Sequence, residues 1–313
     1  MMPSPISGNR MSRSLGADLT GLIGRTPLIP ITGLDGVADA VEVFGKAEWM
    51  NPGGSVKDRA AWSIVRAAEA DGRLADGRAL LDATSGNTGI AYAWIGAARG
   101  HRVTLCVPGN ANLERRRLLA ALGAEVFYTD PMAGTDGAIL EARRLFAGEP
   151  GRYFYADQYS NPANVAAHIE GTAQEVWEQT GGRVTHLVAG LGTSGTLVGT
   201  ARGLRRLNPA LIAIAVQPDS PLHALEGLKH FASAMIPAIY DASAHDRVIE
   251  VASDAAIDMA HAMARRGVLL GWSAAAALVA AAEVARELTH GVVVAVLPDG
   301  AERYLSEALW DPA

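Results

Sequence analysis

Lys57 is the residue in this chain whose placement most needs a chemical reason. It stands in Asn51-Pro52-Gly53-Gly54-Ser55-Val56-Lys57-Asp58-Arg59, where a strand end gives way to turn residues and then to a helix start. A lysine at that point opposes the positive end of the helix dipole, so helix formation does not account for it. An ordinary solvent-exposed lysine is the plain alternative.

Four more clusters carry possible chemistry. Thr84-Ser85-Gly86-Asn87-Thr88-Gly89 lies between a short apolar run and an alanine-rich helical stretch. Hydroxyl and amide side chains together with free backbone N–H groups at a helix start suit a carboxylate or phosphate, although a simple N-cap needs only one such residue. Gly190-Leu191-Gly192-Thr193-Ser194-Gly195-Thr196 repeats the strand, glycine loop, helix order and matches G-x-G-x-x-G. A dinucleotide site would also need an acidic residue ending the next strand. That strand ends in Gln217, with Asp219 beyond a proline, so Gly192 to Thr196 reads better as a cup for one phosphate. Gly271-Trp272-Ser273-Ala274 places Ser273 as a candidate N-cap, and Leu297-Pro298-Asp299-Gly300 reads by itself as a structural turn.

These loops require strands before them and helices after them, and the chain supplies both. Strands are predicted over Val41–Glu48, Ala79–Ala83, Arg102–Val107, Glu125–Thr129, His186–Ala189, Ile212–Val216, Val248–Val251 and Val292–Leu297. Helices are predicted over Asp58–Ala70, Leu113–Leu122, Ala163–Glu178, Thr196–Leu207, Asp254–Arg265 and Ala274–Leu288, from apolar residues at helical spacing. The alternation marks an α/β fold with mostly parallel sheets. An aromatic and then polar stretch around Ala156 to Asn161 suggests a boundary between two halves, which would face each other across a cleft built from loops at strand C-termini. A smaller mobile unit is expected over 51–155 and a larger one over 17–50 plus 156–313, with a disordered segment over 1–16.

Composition narrows the function classes. Of 313 residues, 49% are hydrophobic and 19% charged, and the formal net charge is -6. That balance is globular, and an acidic chain argues against a nucleic-acid or anionic-membrane surface. One cysteine, Cys106, excludes an intrachain disulfide and a multi-cysteine metal site. No apolar run is long enough for a membrane helix and no hydrophobic signal core opens the chain. A cytoplasmic enzyme acting on small molecules without a metal is expected.

Taken together, the clusters resemble the cysteine synthase family, fold-type II pyridoxal-phosphate enzymes that include O-acetylserine sulfhydrylase and cystathionine β-synthase. Gly24-Arg25-Thr26-Pro27-Leu28 is similar to the family's G-N-T-P-L, and Asn51 to Arg59 to its N-P-x-x-S-x-K-D-R. Gln158 with Asn161-Pro162-Ala163-Asn164, and His168-Ile169-Glu170-Gly171-Thr172, fit the same pattern. The resemblance implies two open twisted sheets with flanking helices in the tryptophan synthase β-like arrangement, pyridoxal 5'-phosphate as cofactor, and a homodimer.

It further implies that Lys57 carries the Schiff base, that Asn87 bonds the ring hydroxyl, and that Gly192, Thr193, Ser194, Gly195 and Thr196 hold the phosphate. Ser273 would face the pyridine nitrogen, and Thr84, Ser85, Thr88 and Gln158 would grip the substrate carboxylate. The implied reaction is β-replacement forming L-cysteine from O-acetylserine or O-phosphoserine and sulfide or a sulfur carrier. Cystathionine or diaminopropionate synthesis is the enzymatic alternative, and a non-catalytic ligand-binding relative the alternative outside catalysis.

Two features depart from the common pattern. Ala274-Ala275 stands where a serine or threonine and then a glycine are usual, which puts the shape of the cofactor pocket in question. Ser194, Gln217-Pro218 and Glu226-Gly227-Leu228-Lys229-His230 look more like the B-type branch, with Lys229 or His230 as a possible positive charge near the donor.

Overall fold

The computed structural model describes residues 18–310, so the expectation for residues 1–16 lies outside the described residues. Along the chain run β1 (Leu28–Pro30), β2 (Val41–Ala47), α1 (Lys57–Ala70), β3 (Ala79–Ala83), α2 (Asn87–Arg99), β4 (Val103–Pro108), α3 (Leu113–Ala121) and β5 (Glu125–Thr129). There follow α4 (Gly134–Gly148), β6 (Tyr153–Tyr155), α5 (Pro162–Ala167), a π turn (His168–Thr172), α6 (Ala173–Gln179), β7 (His186–Gly190) and α7 (Gly195–Leu207). The chain closes with β8 (Ile212–Pro218), β9 (Arg247–Val251), α8 (Ser253–Ala264), α9 (Trp272–Glu287) and β10 (Gly291–Leu297).

Two sheets result. One has the order β1-β2-β10-β7-β8-β9 and the other β5-β4-β3-β6. Every pairing is parallel except β1 with β2. Parallel strands covered on both faces need side chains that are apolar on both sides, and β4, β7 and β10 are buried almost throughout. Helix α9 covers the larger sheet with a run of buried alanines, whose small side chains let the helix backbone lie close to the strands.

All eight predicted strands form, with ends displaced by at most two residues. The predicted helix over Ala163–Glu178 is instead α5 and α6 joined by the π turn, which inserts an extra residue into the helical ladder. Helix α4 was not expected: Gly134 and Gly137 weaken its intrinsic propensity, and buried Ala138, Ile139 and Ala142 hold it on the smaller sheet instead. The aromatic stretch before the expected boundary is itself the edge strand β6.

Candidate active site

The chain places Lys57 by fixing both of its flanks. On one side, Val56 N–H donates to Pro298 O (2.8 Å) and Ser55 forms an isolated bridge with Asp299, which pins the start of α1 against the C-terminal end of β10. On the other, Arg59 is locked in a buried charged network, donating to Glu48 Oε2 (2.7 Å) and to Glu175 Oε1 (2.6 Å), while Lys46 donates to Glu175 Oε2 (2.7 Å). Asn51 accepts from Gly24 N–H at 2.8 Å. The run Asn51 to Arg59 is therefore largely a clamp around its lysine. Burial pushes the Lys57 ammonium pKa down, opposed by the carboxylates of Asp299 and Glu48. A lowered lysine pKa leaves more free amine to act as nucleophile or base.

Lys57, Asn87, Thr193, Ser194, Thr196 and Ser273 line one enclosed cavity. Its floor is the turn from β7 into α7. A Cβ at Gly192 would overlap Gly227 O, and one at Gly195 would overlap the Asn164 amide, so backbone lies where a side chain cannot. Ser194 is held at φ 68, and its buried hydroxyl has no partner among the described residues. The amides of Gly192, Thr193 and Ser194 likewise find no acceptor there. Unsatisfied donors at a helix N-terminus are what an anion requires, so the residues present fit a phosphate-bearing cofactor.

Ser273 is not an N-cap, because Gly271 holds that position and makes no side-chain bond. Ser273 lies inside the first turn of α9 with its hydroxyl toward the cavity and Gly227. Ala274 and Ala275 face the opposite way, into the hydrophobic core beneath β10. The departure from the common pattern at these two residues thus falls in packing rather than on the cavity wall.

A second cavity, about 70 Å³, adjoins the first, sharing Lys57, Asn87 and Thr193 with it, and is lined in part by Thr84, Ser85, Thr88, Arg115, Gln158 and Glu226. It opens on an outer cavity of about 600 Å³ that shares Ser85, Arg115 and Glu226. The four substrate-loop candidates are not equivalent. Thr88 Oγ1 donates to Gln158 Oε1 (2.7 Å), and Gln158 Nε2 donates to Ala83 O (2.8 Å). The Thr84 hydroxyl accepts from the N–H groups of Gly86 (3.0 Å) and Gly89 (3.2 Å), so it shapes the loop. Ser85 and the amides of Asn87 and Thr88 are the freer donors.

Sequence reasoning missed several residues here. Asp299 is fully buried and accepts from Asn87 Nδ2 (2.6 Å) and Tyr304 Oη (2.5 Å), with its Oδ1 unpartnered. Arg303 donates to Asn87 Oδ1 and to Gly53 O, leaving Asn87 one further amide proton. Arg115, from α3, pairs with Glu226 across the cleft and lies over the Tyr304 ring. An aspartate one proline beyond a buried strand was the available signal for Asp299; nothing in the spacing ties Arg115 to Glu226.

Asp82 is the polar exception in β3. Burial pushes its carboxyl up to about 7, partly offset by hydrogen bonds from the N–H groups of Ala83 and Gln158. Between about pH 4 and 7 the folded state therefore keeps a proton that the unfolded chain, with an ordinary aspartate pKa of 3.8, has lost. Stability from this group is full below about 4 and declines as pH rises through about 7. Asp82→Asn has no such titration, so its melting temperature should gain on the wild type by a few degrees between pH 5 and pH 8. Scanning calorimetry giving a pH-independent difference would reject this.

Comparison with known proteins agrees with this geometry. The sequence profile of the pyridoxal-phosphate dependent enzymes matches residues 19–299. The chain belongs to that family. It is 46% identical over 296 residues to the cysteine synthase of Aquifex aeolicus, covering 92% of this chain and 90% of the relative. To cysteine synthase B of Pseudomonas aeruginosa it is 39% identical, covering 93% and 96%. The crystal structure of a cysteine synthase from Entamoeba histolytica superposes with a TM-score of 0.89 at 34% identity, covering all of this chain and 96% of that one. The chain is accordingly a pyridoxal-phosphate dependent enzyme of the cysteine synthase type, B-type relatives included, with the expected two-sheet α/β fold.

Among the described residues no helix is long and apolar enough to cross a membrane, and no group of three His, Cys, Asp or Glu side chains is placed to hold a metal ion. Cys106 is buried, and burial raises its thiol to about 12, so it is an unreactive core residue.

Proposed function

We propose that this enzyme replaces the β-substituent of O-acetylserine with sulfide to form L-cysteine, using Lys57. The convergence of Lys57, the Gly192–Thr196 cradle, Asn87 and Ser273 on one cavity carries this reading, with the substrate loop lining an adjoining cavity that reaches the same lysine. When bound, the cofactor supplies an electron sink for the substrate's α-carbon. Lys57 is the residue that would hold it, and as a buried amine with a lowered pKa its Nζ would be the group to take the α-proton. Ser85 and the amides opening α2 bind the substrate carboxylate, and the Thr88–Gln158 bond orients that loop. Ser273 would offer the bound cofactor a neutral hydroxyl rather than a carboxylate. That favours prompt loss of the β-group over accumulation of negative charge at the α-carbon.

The charges around the donor favour a β-substituent that is uncharged while bound, such as an acetyl ester. Glu226 brings a carboxylate close to Gly86 in the substrate loop, and Arg115 neutralises it. Lys229 donates to Asp136 at 2.8 Å and to Met235 O at 3.3 Å, so its charge is already paired rather than free for a phosphate. The expected result is a higher kcat/KM for O-acetylserine than for O-phosphoserine, with sulfide as acceptor. Glu226→Gln should narrow that ratio by about tenfold by freeing Arg115. Wild-type enzyme that uses O-phosphoserine equally well would remove the donor assignment. Failure to form cysteine from either donor would remove the whole reading.

The same proposal includes a cytoplasmic homodimer in which residues 51–155 close on the remainder around the substrate. The Arg115–Glu226 and Thr88–Gln158 contacts both span that division, and closing it would keep water from reactive species.

A further inference from the structure

The hydroxyl of Thr196 is backed by a fully buried imidazole. His168 Nε2 lies 3.3 Å from Thr196 Oγ1, and His168 Nδ1 lies 2.9 Å from Thr172 Oγ1. His168 and Thr172 are the first and last residues of the π turn. Two glycines of α7 let that turn approach: a Cβ at Gly199 would overlap His168 Cβ and Val165 O, and one at Gly203 would overlap Ala173. A π turn packed this closely on the helix that begins the cradle has a positional purpose.

The direction of these hydrogen bonds decides what Thr196 can do. Burial and the nearby Arg59 charge push the His168 pKa down to about 3, so the ring is neutral and carries one N–H. A neutral imidazole donates from one nitrogen and accepts at the other, and each threonine hydroxyl has a single proton. With the proton on Nδ1, the ring donates to Thr172 and must accept the Thr196 proton at Nε2. Thr196 would then turn only lone pairs toward the cavity and would repel an anion. With the proton on Nε2, Thr172 donates to Nδ1, the ring donates to Thr196, and the Thr196 proton is free for the anion.

We propose that His168 is a positioning residue, held by Thr172 as the Nε2–H tautomer, that aims the Thr196 hydroxyl at the phosphate of the bound cofactor. This rests on the reading of Gly192–Thr196 as the phosphate cradle.

The test uses the reconstituted holoenzyme labelled with 15N-histidine. Two-bond 15N–1H couplings should report the Nε2–H tautomer for His168. Its resonances are assigned by their loss in His168→Gln or, should that variant not fold, by their shift in Thr172→Ser. Thr172→Val, which cannot donate to Nδ1, should release the cofactor about 5- to 10-fold faster, as expected for one net hydrogen bond. It should also move the 31P resonance of the bound phosphate while leaving kcat at saturating cofactor within about twofold of the wild type. Thr172→Ser should restore both readouts. An Nδ1–H tautomer in the holoenzyme, or cofactor release from Thr172→Val at the wild-type rate, would overturn the relay. Wild-type protein that binds no pyridoxal phosphate would overturn the cradle and the relay together, and the initial binding measurement separates that failure from the others.

Discussion

Lys57→Ala should lose turnover by roughly 10³-fold or more while still binding pyridoxal phosphate, because one residue supplies both covalent attachment and proton transfer. Its flanks do not depend on the amine: Val56 remains bonded to Pro298, Lys57 N–H to Ser55 Oγ (3.2 Å), and Arg59 to Glu48 and Glu175. The variant should therefore fold. Removing a buried amine whose pKa is depressed by desolvation also removes a cost to the folded state. In the wild type, borohydride reduction should fix the cofactor on the tryptic peptide containing Lys57. In the variant the phosphate cradle still holds cofactor noncovalently, so equilibrium dialysis should show weakened rather than absent binding. A label mapped to another lysine, or turnover within tenfold of the wild type, would move the chemistry away from the start of α1.

The origin of that precision explains what the sequence made legible. A glycine loop between a buried strand and a helix has few backbone solutions, so the placement of Gly192 to Thr196 follows from local residue types. The same holds for Thr84 to Gly89. Asp299, Arg115 and Glu226 answer to a different rule. Each becomes part of the site only because separate strands and helices converge: β10 against α1 for Asp299, and α3 against the segment after β8 for the ion pair. No local spacing encodes such a meeting. Thr84 has a role that its type did not announce: besides lining the cavity beside Lys57, its hydroxyl accepts from the amides of Gly86 and Gly89 and so shapes the loop. The π turn was illegible for a third reason, since one extra residue in a helical ladder barely disturbs the apolar periodicity that marks a helix.

The cradle itself is open to a test in which two electrostatic effects of one substitution point in opposite directions. Helix α7 has no acidic residue in its first turn, so Gly195→Asp adds a negative charge where the helix dipole welcomes one. On helix electrostatics alone the variant would be stabilised. The cofactor phosphate, however, would occupy the same end of the helix, and two like charges about 4 Å apart repel by roughly 1 to 4 kcal/mol depending on the local dielectric. The new side chain would also displace the Asn164 amide, which donates to Gln158 O (2.9 Å) and Thr193 Oγ1 (3.1 Å) and so links the cradle to the substrate side. Cofactor affinity should fall by about 100-fold or more. Gly195→Ala separates the contributions, because it displaces Asn164 without adding charge and should therefore bind cofactor more weakly than the wild type but more tightly than Gly195→Asp. Circular dichroism and titration with pyridoxal phosphate measure fold and affinity on the same samples. If Gly195→Asp folds and retains the cofactor within tenfold of the wild type, the phosphate does not lie at the N-terminus of α7, and the assignment of Gly192 to Thr196 fails with it.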